Sequence, residues 1–130
     1  MIDADAITVL VIDDHAVVRA ALGSILDYQS DMRVVGLAET ATAGATLFEL
    51  LRPDITLVDL SLPDMNGIEL IRRLRSRSPE ARFLVLTANS GGSEIGCALH
   101  AGAQQYFFKN GPVQELLEAI RVLAAAPRGI

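Results

Sequence analysis

Cysteine, lysine, excess positive charge and long apolar runs are all scarce in this chain of 130 residues. The single cysteine, Cys97, cannot close an internal disulfide and supplies no CxxC metal framework, so it reads as a small buried apolar residue in a reducing compartment. The longest apolar stretches reach only about half of the roughly 20 residues that a membrane span needs, and the acidic N-terminus lacks a signal peptide's basic region. A cytoplasmic location away from any membrane is therefore expected. The 11 Lys and Arg against 16 Asp and Glu leave a net charge of −5, which argues against the chain itself as an electrostatic nucleic-acid binder. Contact with DNA is expected only through a separate module. All but one of the basic residues are arginine, so the sole lysine, Lys109, calls for a reason.

What is present suits one domain with one core. Apolar runs with strand character recur at 7–12, 33–38, 55–58 running into Asp59, 82–87 and 104–108. Between them, apolar residues fall at helical spacing: Val18, Leu22, Ile25 and Leu26; Ala43, Leu47, Leu50 and Leu51; Leu70, Ile71 and Leu74. A weaker stripe holds Ile95, Ala98 and Leu99, and a last one Val113, Leu116, Leu117, Ile120 and Leu123. Pro53 and Pro79 punctuate the ends of helices two and three, Gly102 ends the fourth, and Pro112 falls in the first turn of the fifth. Strict β/α alternation with strands this apolar predicts an α/β fold, an open doubly wound parallel sheet with helices on both faces, since a closed eight-fold barrel needs roughly 250 residues. Residues 1–124 form the expected domain, and 125–130 read as the start of a linker.

Open α/β sheets bind ligands beyond the carboxyl ends of their strands. Strand one runs there into Asp13 and Asp14, strand three into Asp59, strand four into Thr87 and strand five into Lys109. Any one aspartate at a strand end is adequately explained as a turn former or helix cap. Three together are not, because two carboxylates about 5 Å apart repel by roughly 3 kcal/mol at an effective dielectric near 20. Lys109 and a divalent ion would neutralise them; oxygen donors suit Mg²⁺ or Mn²⁺, which commonly add phosphate oxygens to their shell. A carboxylate so placed can attack phosphorus, and Asp59, on the central strand of the three and followed by a compact loop containing Pro63 and Gly67, is the candidate nucleophile.

These residues resemble the receiver (phosphoacceptor) domain of two-component response regulators over almost the whole chain. The resemblance rests on Asp13-Asp14, on Asp59 with Pro63 and Gly67 behind it, on Thr87-Ala88, and on Tyr106 ahead of Lys109. The stretch Asp13-Asp14-His15 with Arg19, and Ala101-Gly102-Ala103, resembles the NarL/FixJ (LuxR-type) branch, whose members usually carry a helix-turn-helix output domain. It implies a flavodoxin-like sheet in the order 2-1-3-4-5 with five helices. It also implies that Asp59 accepts a phosphoryl group from a histidine kinase, that Asp14, Asp59 and the Ser61 backbone carbonyl bind Mg²⁺ directly, and that Asp13 does so through water. Lys109 is implied to pair with Asp59 or the phosphoryl group. Thr87 and Tyr106 are implied as the switch that moves the face of helix four, strand five and helix five, with homodimerisation a possible output and an effect on transcription through the absent DNA-binding domain. Such a domain assists its own phosphorylation and dephosphorylation and turns over no separate substrate.

The chain departs from many receivers in having Asn110 after Lys109, with the proline at Pro112, and Leu62 where Met is frequent. Ser61 and Asn89 are implied neighbours of the phosphate that tune its lifetime, and Gly91 and Gly92 loosen the loop before helix four. His15 directly follows the acidic pair, which suggests a metal ligand, but it reads rather as a residue that helps start helix one; His100 reads as solvent-facing or at a partner surface, and Arg72, Arg73, Arg75, Arg77 and Arg82 as a solvated basic face. Three other functions compete. A Mg²⁺-dependent aspartate phosphatase of the haloacid dehalogenase type needs an acid where Ser61 stands. A phosphate-independent receiver acting as an interaction module has no need of the complete acid, threonine and lysine set, and a mononucleotide binder needs a glycine-rich loop after strand one.

Overall fold

The computed structural model describes residues 5–88 and 92–127. Asn89 and Gly91, assigned above to phosphate lifetime and loop mobility, lie outside the described residues. Five strands alternate with five helices: β1 Ile7–Ile12, α1 Ala16–Tyr28, β2 Met32–Ala38, α2 Ala41–Leu51, β3 Ile55–Asp59, α3 Gly67–Arg77, β4 Phe83–Thr87, α4 Gly92–Ala101, β5 Gln105–Phe108 and α5 Val113–Ala125. All four strand pairings are parallel, and the sheet order is β2-β1-β3-β4-β5, as the alternation and the resemblance implied.

The period of two along each strand divides the core into two layers. Val9 and Val11 of β1, Ile55 and Leu57 of β3, and Leu84 and Leu86 of β4 pack against Leu22 and Leu26 of α1 and Leu116, Leu117, Ile120 and Leu123 of α5. Leu10, Ile12, Val58, Phe83 and Val85 face the other way, onto Phe48 of α2, Leu70, Ile71 and Leu74 of α3 and Ala98 of α4. Both faces of the sheet are thus dry, which is why its strands read as near-continuous apolar runs.

The structure corrects the expected face of α2. Ala41, Gly44 and Phe48 are buried, whereas Ala43 and Leu50 are exposed and Leu51 is 40% exposed. The helix lies so close to the sheet at Gly44 that a Cβ there would stand 2.5 Å from Ile12 Cδ1, so the smallest residue and its neighbour Phe48 make the contact. Cys97 is likewise exposed, on the outward face of α4 beside the buried Ala98. Gly102 ends α4 with φ 127°, as its position suggested. Pro112 is the cap residue just before α5, one position earlier than expected.

The basic run is not one solvated face. Arg72 and Arg73 pair with Glu69 on α3, and Arg77 with Glu49 on α2. Arg75 instead stacks its guanidinium over Phe83, 5.2 Å from the ring centre, and bonds the Gly102 and Pro79 carbonyls. Arg82 is buried and donates to the Leu123, Ala124 and Ala126 carbonyls at the end of α5. Carbonyls of a helix's last turn lack the usual i+4 partner, that of Leu123 accepting from the Ala126 N–H instead, and the dipole there favours a cation, so the guanidinium fits by both hydrogen bonding and charge.

Candidate functional site

Strand register sets the carboxyl edge. Ile12 pairs with Val58, so Asp13 and Asp14 emerge beside Asp59, while Asp59 pairs with Leu86 and Thr87 with Phe108, bringing Thr87 and Lys109 to the same edge. Lys109 N–H donates to the Thr87 carbonyl at 2.8 Å, which locks the two strand ends together. The lysine side chain turns inward: Nζ lies 2.9 Å from Asp13 Oδ2 and 3.0 Å from Asp59 Oδ2. Asp13, Asp59 and Thr87 are buried, and Asp14 stands at the mouth. Tyr106 does not join them; it is 43% exposed on β5, with its ring edge-on to Phe108.

The loop after Asp59 is closed by local contacts. Ser61 N–H donates to Asp59 Oδ1 at 3.1 Å, Ser61 bridges Asn66, and Gly67 N–H returns to the Leu60 carbonyl. Asn66 caps α3 through its side chain. Gly67 is required by close approach, since a Cβ would stand 2.3 Å from the Asp59 carbonyl oxygen. A further anchor was not legible in the sequence: the Asp64 carboxylate accepts from the backbone N–H groups of Ala41 and Thr42 and from the Thr42 hydroxyl, at the start of α2. These bonds hold its carboxyl down to about 2.

The two buried carboxylates are driven apart. For Asp59, burial pushes the pKa up, the charge of Asp13 adds to it, and the Ser61 N–H and Lys109 only partly offset them. For Asp13, burial is also the largest single influence, yet the His15 N–H, Lys109 and the His15 ring together bring the carboxyl below its ordinary value. Three carboxylates against one lysine leave the cluster short of positive charge.

His15, read above as a helix starter in preference to a metal ligand, stands beside the carboxylates. It precedes α1 as its cap residue, but its side chain caps nothing. The ring turns into the cluster, with Nδ1 3.0 Å from Asp13 Oδ1, 3.3 Å from Asp14 Oδ1 and 3.5 Å from Asp59 Oδ2. Arg19, one turn on, donates to the Asp13 carbonyl and ties α1 to the end of β1.

The donor set fits a hard divalent ion. One donor atom from each of Asp13, Asp14, His15 and Asp59 lies within 4.8 Å of the others, and oxygens opposed across Mg²⁺ are about 4.1 Å apart. Asp13 Oδ2 is buried, with the Lys109 ammonium 2.9 Å away as its counter-charge.

With this geometry in place, comparison with known proteins is decisive. The family described as "Response regulator receiver domain" matches residues 9–121. The chain belongs to the response regulator receiver family. The nitrate/nitrite response regulator protein NarL of Escherichia coli K12 is 36% identical over 91% of this chain and 55% of its own length. The DNA-binding transcriptional activator DevR/DosR of Mycobacterium tuberculosis is 37% identical over 92% and 55%. A two-component response regulator of the LuxR family from Aurantimonas superposes with a TM-score of 0.89 at 31% identity, covering 96% of this chain and 89% of that one. This receiver, a signalling domain of the two-component, LuxR-type class, spans about half the length of the curated relatives it matches. Among the described residues no helix is long and apolar enough to cross a membrane.

Proposed function

We propose that this receiver is a phosphorylation-controlled switch in which Asp59 takes a phosphoryl group from the phosphohistidine of a histidine kinase. The observation that carries the reading is the placement of Asp59: Oδ1 is held by the Ser61 N–H and Oδ2 by Lys109, inside a buried cluster of like charge. Such a carboxylate is fixed in direction and poorly neutralised. An Asp59 oxygen attacks phosphorus, the N–P bond breaks, and its electron pair returns to the kinase's imidazole, which takes up a proton. Lys109 neutralises charge on the equatorial oxygens in this reading, and Thr87 hydrogen-bonds them.

Asp14, Asp59 and the Ser61 carbonyl would hold Mg²⁺, or Mn²⁺, directly and Asp13 through water. When bound, the ion supplies two positive charges to the carboxylates and the incoming phosphoryl oxygens. Phosphorylation adds about −1.5 to −2 charges, which gives the differential contact a two-state change requires. Thr87 and Tyr106 then act as the switch, altering the face of α4, β5 and α5 for a homodimer partner or an output domain. Residues 1–124 are the receiver unit and 125–130 the start of a linker, in a cytoplasmic regulator that reaches DNA through that output domain.

Intact-mass analysis after incubation with acetyl phosphate tests the reading. A Mg²⁺-dependent gain of one phosphoryl group, absent in Asp59→Asn, is the expected result. No gain under conditions that phosphorylate another receiver would overturn it in favour of a phosphate-independent interaction module.

A further inference from the structure

Helix α2 has no acidic residue in its own first turn, and the N–H groups that open it are met from two places. Ala43 donates to the Thr40 hydroxyl. Ala41 and Thr42 donate instead to the Asp64 carboxylate, at 2.8 and 2.9 Å, and the Thr42 hydroxyl adds a third bond at 2.7 Å. A carboxylate there meets both unsatisfied donors and the positive end of the helix dipole. With its pKa held down to about 2 by these bonds, the group stays ionised at neutral pH.

What Asp64 fixes is the loop after Asp59. Leu62 and Met65 rest against the core, but apolar contact is non-directional. Among the described residues, 61–66 make no other hydrogen bond to an element outside β3 and α3. The anchor itself is rigid: α2 meets the sheet at Gly44, where a Cβ would stand 2.5 Å from Ile12 Cδ1, and Ile12 is the residue before Asp13. The Asp13 N–H in turn donates to the carbonyl of Ala38, the last residue of β2. Asp64 thus ties the loop to the framework that carries Asp13 and Asp14. Within the loop, the Ser61–Asn66 bridge passes that position back to Ser61, whose N–H holds Asp59 Oδ1 at 3.1 Å.

We propose that Asp64 and Thr42 are positioning residues for phosphoryl transfer: by pinning the loop to α2 they hold the Ser61 N–H against Asp59 Oδ1 and so aim the attacking carboxylate. The inference rests on the reading of Asp59 as the phosphoacceptor, and adds to it two residues that touch none of the reacting atoms. A nucleophile aimed by a hydrogen bond loses rate when the group that aims it is free to shift.

The test uses the whole chain, acetyl phosphate as the phosphodonor and saturating Mg²⁺. Asp64→Ala should be phosphorylated about tenfold more slowly than wild type, and Thr42→Val about threefold more slowly with no change of charge. The deficit of Asp64→Ala, taken relative to wild type, should persist in about 1 M KCl, where the field of an exposed carboxylate is screened. In the metal-free protein, amide exchange at Ser61 should quicken in both variants while Val11, inside the sheet, keeps its wild-type protection. Thr42→Val leaves both backbone bonds to Asp64 in place, so it carries the test even if Asp64→Ala unfolds. Wild-type phosphorylation and Ser61 exchange in Thr42→Val, or a deficit in Asp64→Ala that vanishes in salt, would overturn the proposal and leave Asp59 as the phosphoacceptor. If the wild type takes up no phosphoryl group, this inference and the reading beneath it both fall.

Discussion

At the carboxyl edge of the sheet one lysine pairs with two of three clustered carboxylates, whereas at the opposite edge one buried guanidinium, Arg82, is met by three carbonyls at the end of α5. A second polar contact at that opposite edge is closed as well: the Thr8 N–H and hydroxyl both donate to Asp54, whose own N–H returns to the Thr8 hydroxyl. Burial carries a cost at both edges, but at the carboxyl edge Lys109 and the Ser61 N–H offset it only in part for Asp59. The contrast separates structure from function. Charge that the protein satisfies itself holds β4 and α5 together, and the excess charge at Asp13, Asp14 and Asp59 is what the proposed Mg²⁺ would neutralise.

The largest effect should come from the satisfied edge. Arg82→Ala leaves the α5 carbonyls without their donor and opens a gap beneath the helix; it should lower unfolding free energy by about 3 kcal/mol in urea titrations. An unchanged midpoint would dissolve the contrast. Gly67→Ala should cost about 2 kcal/mol, because the new Cβ meets the fixed Asp59 carbonyl, and it should also weaken phosphorylation by displacing Asp59. Asp59→Asn should do the reverse of Arg82→Ala, raising stability by about 1 kcal/mol in the absence of divalent ions, since it removes one of the crowded negative charges. Loss of stability in that variant would mean that Lys109 already balances the cluster.

The smallest effect concerns Asp64. Its folded pKa of about 2 lies below the ordinary 3.8, so its contribution is full above pH 3.8 and is lost as pH falls through about 2. Asp64→Asn should therefore flatten the acid limb of the stability curve in that window and leave the profile near neutrality parallel to wild type. Chemical denaturation across pH 2 to 5 would show it.

The same contrast explains what the sequence made legible. Strand ends are read from alternation and apolar runs, and a parallel sheet puts every strand's carboxyl end on one edge, so the sequence alone groups Asp13, Asp14, Asp59, Thr87 and Lys109. Side-chain direction is not set by alternation outside the strands. His15 turned inward and Arg82 turned beneath α5 because of partners 94 and 41 residues away, Lys109 and Leu123. The apolar stripe on α2 misled for a different reason: counting large side chains favours Leu50 and Leu51, whereas close helix–sheet approach selects Gly44. Asp64 looked like an ordinary loop residue, since its partners Ala41 and Thr42 belong to a helix that precedes it in the chain.

Thermal or chemical unfolding with and without Mg²⁺, on wild type and on Asp14→Asn, tests the central claim most directly. At about 100 times its dissociation constant, Mg²⁺ should stabilise the wild type by about 2.7 kcal/mol, and at the same concentration should do far less for Asp14→Asn. An equal shift in both proteins, or none in the wild type, would contradict the claim that the carboxyl edge is an ion site left open by the fold.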